Sequence, residues 1–226
     1  MRRRAITAAC GAAFAFAFAL VVAGCVAPAA NAVADGDTWT ALFDGNDLAG
    51  MVPVRFGGDG DVHIDDGRLL LEQGSPLTGV TFTATLPESG YELEVVGSRL
   101  MGNDFFCALT FPVPGGCLSL VLGGWGGAVC GLSCLDGEDA AHNGTRRLRH
   151  FTAGRDYRVA VRVTADAVRA SIDGEELLAA DPRAHRCTVR AEVELCQPLG
   201  LCSYATRASF ASVRWRRLPA SPPRQH

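Results

Sequence analysis

The chain contains no lysine. All 21 basic residues of its 226 are arginine. That absence excludes any mechanism that needs an ε-amine, such as a Schiff base or the lysine of a phosphate-cradling loop. Aromatic residues are few, at 8%, and no stretch beyond residue 37 carries a sustained 3.6-residue apolar period, so a helical bundle is not expected. There is no Cys-x-x-Cys, no His–carboxylate pair at metal-ligand spacing and no Ser/His/Asp set. No metal or other cofactor and no assignable catalytic residue are therefore read from the sequence. The net charge of −3 offers nothing to a phosphate backbone, so nucleic acid is not expected as a partner.

What is present begins with an address. Arg2–Arg4 form a basic start, and an apolar run follows from about Ala5 to Gly24, the pattern of an export signal. It ends in Val22-Ala-Gly-Cys25, which resembles a bacterial lipobox, in which the cysteine thiol is lipidated and cleavage falls just before it. On this reading residues 1–24 are a signal, Cys25 is the lipidation site and residues 25–37 are an Ala/Pro-rich tether. The only membrane contact is then the N-terminal lipid. Two alternatives stay open: ordinary cleavage within Ala29–Ala34, or an uncleaved anchor, since about 20 apolar residues can span a bilayer. Loss of the signal leaves 202 residues and shifts the net charge from −3 to −6. The expected location is the cell envelope.

Residues 38–218 read as strands. Asp65-Asp-Gly67 separates two short apolar runs, the signal of a tight hairpin. In Tyr91–Val96, Leu93 and Val95 alternate with Glu92 and Glu94. Phe105–Phe111 and Leu118–Leu122 flank a Pro/Gly-rich turn. Tyr157–Val163, Val168–Ile172, Glu175–Leu178, Val189–Leu195, Gly200–Tyr204 and Ala208–Leu218 continue the series. About a dozen strands without helices between them predict an all-β, two-sheet sandwich. The Pro-rich residues 219–226 are expected to be a flexible tail.

Trp39-Thr-Ala-Leu-Phe-Asp-Gly-Asn-Asp-Leu48 resembles the opening signature of the bacterial 3-keto-disaccharide hydrolase family. Val62–Leu69, Tyr91–Val95, Val168–Gly174 and Leu199–Val213 resemble later family segments in the expected order, and Leu120–Gly127 resembles a planctomycete-type variant. The resemblance implies a concanavalin-like jelly roll related to glycoside hydrolase family 16, acting on or binding carbohydrate. A non-catalytic structural or protein-interaction module on the same fold is the alternative. The chain departs from the family in its middle. Gly131-Leu-Ser-Cys-Leu-Asp136 keeps a glycine and an aspartate where many members also carry Glu and Gln.

The candidate carbohydrate site is Trp125, Asp136, Asp139, Asn143, Tyr204 and Arg207. Trp125 sits between paired glycines, and a sugar's C–H face stacks on an indole. Asp136, Asp139 and Asn143, with Glu138 and His142, form a polar cluster just after it, suited to hydroxyl pairs. Tyr204 and Arg207 are expected on the same rim. Glu92/Glu94 and Glu192/Glu194 each place two carboxylates on one strand face if both segments are strands, and solvated strand faces commonly carry such pairs. After Cys10 and Cys25, seven cysteines remain. At least one disulfide is expected, with Cys107–Cys117 across the Pro/Gly turn and Cys196–Cys202 across a shorter one as the candidate pairs, and small buried thiols as the alternative.

Overall fold

A computed structural model describes residues 38–219; the signal, Cys25, the tether and nearly all of the tail lie outside the described residues. The fold is all-β, a sandwich of two antiparallel sheets.

The first sheet has eight strands: β1 (Thr40–Phe43), β3 (Val62–Asp65), β4 (Arg68–Leu71), β6 (Tyr91–Gly102), β11 (Tyr157–Val163), β12 (Val168–Ile172), β13 (Glu175–Ala180) and β15 (Thr206–Arg217). Their order is β13-β12-β11-β6-β15-β4-β3, and β1 pairs with the second half of β15. The second sheet has seven: β2 (Met51–Pro53), β5 (Leu77–Phe82), β7 (Cys107–Val113), β8 (Gly116–Gly124), β9 (Val129–Ser133), β10 (Arg147–Leu148) and β14 (Gly200–Tyr204), in the order β10-β9-β8-β7-β14-β5-β2.

Inward-facing side chains of both sheets build the core. Leu93 and Val95 on β6, Val159 and Val161 on β11, and Phe210 and Val213 on β15 face Leu109 and Phe111 on β7, Leu120 and Leu122 on β8 and Leu132 on β9. All are essentially inaccessible. The Tyr91 hydroxyl donates to the Pro112 carbonyl at 2.6 Å, satisfying a buried polar group and joining the sheets. Phe106, Phe151 and Tyr157 close one end with edge-on contacts at 5.0 Å between neighbouring centroids.

The outer face of the first sheet is an arginine–glutamate ladder. Buried Glu94 accepts from Arg158 at 2.8 Å and from Arg214 Nε at 2.9 Å. Glu92 accepts from Arg216. The Glu92/Glu94 pair is thus a scaffold element, with each carboxylate held by guanidinium groups.

One expected strand is not one. Val189–Leu195 alternates apolar and polar residues, but Ala191–Cys196 is two tight 3-10 turns. Its buried residues, Val193 and Cys196, are three apart, the period of that helix, and Leu195 is left exposed. The reason is topological. β14, the next strand, already pairs with β5 on one side and β7 on the other, so the segment cannot pair beside it and lies across the outer face of the second sheet. Glu192 and Glu194 therefore do not share a strand face. Three short or Gly-rich strands, β2, β9 and β10, were not expected.

The cysteines also need correction. All seven described cysteines are free thiols. Cys107 and Cys117 cannot face each other, because the hairpin turns at Pro114-Gly115. Cys107 stands opposite Leu122 and Cys117 opposite Pro112, so five residues of strand, about 17 Å, separate them. Burial pushes the Cys107 thiol well up, and the Cys130 thiol to about 11, so both are unreactive core residues. Cys196 and Cys202 share the apolar cluster on the outer face of the second sheet, and their side chains are close enough to interact directly. Gly200 makes this approach possible: a β-carbon there would stand 2.8 Å from that of Cys196.

Candidate functional site

The outer face of the second sheet is not fully covered. Leu77, Ala108 and Val121 point outward from β5, β7 and β8 and pack under Val193 and Cys196. Beside that cover lies a partly open cavity of about 200 Å³. Leu77, Ala108, Val121 and Val193 make its apolar floor, and the Ser119 and Ser133 hydroxyls add polar points. Asp104, Phe105, Trp125, Arg190, Glu192 and Tyr204 form the rim. Its volume is below the about 300–1,000 Å³ usual for small-molecule sites, a scale that suits a single ring or a chain end.

Trp125 is held there by the local sequence. Gly124–Gly127 is a tight turn in which the Gly127 N–H donates to the Gly124 carbonyl at 3.2 Å. Trp125 (φ 48°) and Gly126 (φ 88°) both adopt positive φ, the type I′ geometry that matches strand twist. A bulky side chain in this region costs about 1–2 kcal/mol, and the indole is nonetheless 40% exposed. Backbone strain combined with an exposed large aromatic is a mark of a functional position.

The turn is anchored from behind. Arg99, a buried arginine on β6, donates to the carbonyls of Gly127 (3.4 Å), Asp104 (3.4 Å) and Phe151 (3.0 Å). It links the two loops that carry Trp125 and Asp104–Phe105. Phe105 packs against Tyr204 with centroids 5.5 Å apart, and the Tyr204 N–H donates to the Phe105 carbonyl.

On the opposite wall, Arg190 lies over the Trp125 ring at 5.8 Å. It donates to Glu192 at 2.6 Å and to Asp139 at 2.7 Å. The Arg190 hydrogen bonds hold the Glu192 carboxyl below its ordinary value.

Two residues expected from sequence, Trp125 and Tyr204, line this cavity. Asp139 stands one step behind it, fully engaged by Arg190, the His142 ring (2.6 Å) and the Ala141 N–H. Asp136 and Asn143 line a second recess with Glu138 and His185. Asp136 accepts from the Arg186 N–H and pairs with His185 Nδ1 at 2.6 Å. Asn143 is spent on the loop: its amide donates to the Leu132 and Glu138 carbonyls, and its oxygen accepts from Thr145. Arg207 does not reach the rim. It lies on β15 in the first sheet and donates to Glu72 at 2.9 Å, because the chain crosses between sheets at Ala205, where φ is 44°. Asp104, Phe105, Arg190 and Glu192 were not anticipated as a site, since they come from separate segments without a local motif. Among the described residues, no three His, Cys, Asp or Glu side chains converge as a metal-binding set.

No family model matches the chain, and no curated protein matches it in sequence. Solved structures share the fold. A carbohydrate recognition domain of Emp46p superposes with a TM-score of 0.57 at 10% identity, covering 80% of this chain and 99% of that one. The Crh5 transglycosylase gives 0.55 at 12% identity, with 82% and 85% covered. The carbohydrate-binding module CBM66 from Bacillus subtilis gives 0.50 at 12%, with 74% and 95% covered. At these identities the likeness establishes the jelly-roll sandwich.

Proposed function

We propose that the domain binds carbohydrate in the Trp125 cavity, one sugar ring or chain end at a time. The observation that carries this is Trp125, held half-exposed in a strained turn over an apolar floor rimmed by hydroxyls, carboxylates and a guanidinium. An aromatic platform takes the C–H face of a ring while polar groups take its hydroxyls. The fold neighbours named as carbohydrate recognition and binding domains are compatible with this reading. The test is a glycan panel followed by calorimetry, with Trp125→Ala abolishing binding. A panel with no ligand would overturn the proposal.

Hydrolysis of 3-keto-disaccharides is the second reading, favoured by the Trp39–Leu48 signature. Binding is preferred because a glycosidic general acid must keep its proton near neutrality. Arg190 favours the ionised form of Glu192 instead. Turnover of a 3-keto-glycoside, with or without added divalent metal, would favour the enzyme.

The proposal includes an envelope location, with Cys25 carrying the lipid. Radiolabelled fatty acid incorporated by the native chain, and lost in Cys25→Ala, checks it.

A further inference from the structure

The charges around the cavity are unevenly matched. Arg190 is neutralised by Glu192 and Asp139. Arg99 lies behind the rim, turned toward main-chain carbonyls. Asp104 is different. One carboxylate oxygen accepts the Phe105 N–H at 2.8 Å, and among the described residues no cationic side chain pairs with that carboxylate. It shares the rim with Phe105, Trp125 and Tyr204. A carboxylate without a counter-ion beside several aromatic rings is the arrangement that recognises an ammonium group, through charge and through the negative faces of the rings. It also penalises a second carboxylate.

Resting on the carbohydrate reading above, we propose that the cavity selects a saccharide bearing a protonated amine, with Asp104 as the residue that sets the preference. Neutral N-acetylated sugars bind less tightly, and uronic acids are excluded.

The test titrates the full chain calorimetrically with glucosamine, N-acetylglucosamine, glucuronate and choline. Glucosamine is expected to bind roughly tenfold tighter than N-acetylglucosamine, with glucuronate weakest. Asp104→Asn keeps the acceptor for the Phe105 N–H and removes the charge. It should erase the advantage, so that glucosamine binds no tighter than N-acetylglucosamine. Asp104→Glu should retain the preference, and an unchanged thermal midpoint would show that the variants fold. Equal binding of glucosamine and N-acetylglucosamine, or a preference that survives Asp104→Asn, overturns the amine proposal and leaves carbohydrate binding standing. Choline binding tighter than glucosamine overturns the saccharide part. Binding of no sugar overturns both readings.

Discussion

Arg99 donates from inside the protein to the carbonyl of Gly127, and through it holds the turn that carries Trp125. Its acceptors are main-chain carbonyls of three separate loops, so the guanidinium acts as a fixed strut. Arg99→Met removes the donors and leaves buried acceptors unmet, at about 1–3 kcal/mol for each. We expect a loss of roughly 3 kcal/mol overall in denaturant unfolding. The Trp125 fluorescence should become more solvent-like at denaturant concentrations where the sheets remain intact by circular dichroism.

Trp125→Gly separates function from folding. Glycine tolerates the positive φ at no steric cost, so the lost packing of a 40% exposed indole is offset by released strain. Thermal stability should stay within about 1 kcal/mol of the parent, while glycan binding disappears. A large loss of stability would mark Trp125 as a core residue instead.

Glu94→Gln should behave in the opposite way. It removes the charge that two arginines share in a 9% exposed side chain. Breaking a buried pair costs about 3–5 kcal/mol, reduced here to roughly 2 kcal/mol because Arg158 and Arg214 reach solvent. Chemical unfolding should report that loss, and calorimetry should find sugar binding unchanged.

Acid should weaken the fold in a defined window. His185, followed by the Arg186 N–H, holds the Asp136 carboxyl below its ordinary value, and Arg183 brings Asp181 to about 2. A carboxyl depressed in the folded state stabilises above its unfolded pKa of about 3.9, and that contribution is lost as pH falls through the folded value. The unfolding midpoint should therefore drop between about pH 4 and pH 2. Both groups are solvent-exposed, so the drop is small, and Asp136→Asn with Asp181→Asn should flatten that part of the profile.

The Cys196 and Cys202 thiols should close under a disulfide oxidant such as oxidised glutathione. Two protons and two electrons pass to the oxidant, which leaves as two thiols. Denatured thiol titration should then fall by two and the protein mass by two hydrogens, with the bridge mapped to these residues. Oxidation that leaves both thiols titratable would place them as packing residues alone.

The sandwich was legible where strands have one face in the core and one in solvent, as Val159, Val161 and Val163 do between Arg158, Ala160 and Arg162. The same rule misread Val189–Leu195, where a two-residue period lies on a segment that instead packs Val193 and Cys196, three apart, onto the outer face of the second sheet. Trp125 was legible from its glycines, which encode the turn. Arg207 was misplaced because one residue, Ala205, redirects the chain to the other sheet. Asp104 and Arg190 were invisible because their roles depend on a loop and a surface crossing that only tertiary packing brings together.

The twelve-residue β15 lies between β6 on one side and β4 and β1 on the other. It is the C-terminal strand of the domain, yet it is the spine of its sheet. Until that segment is free to dock, strands from the beginning and middle of the chain have no partner to bring them together. Assembly then requires closing contacts over more than a hundred residues, a demand that slows folding. A chain emerging from a ribosome would keep this sheet open until β15 had left the exit tunnel.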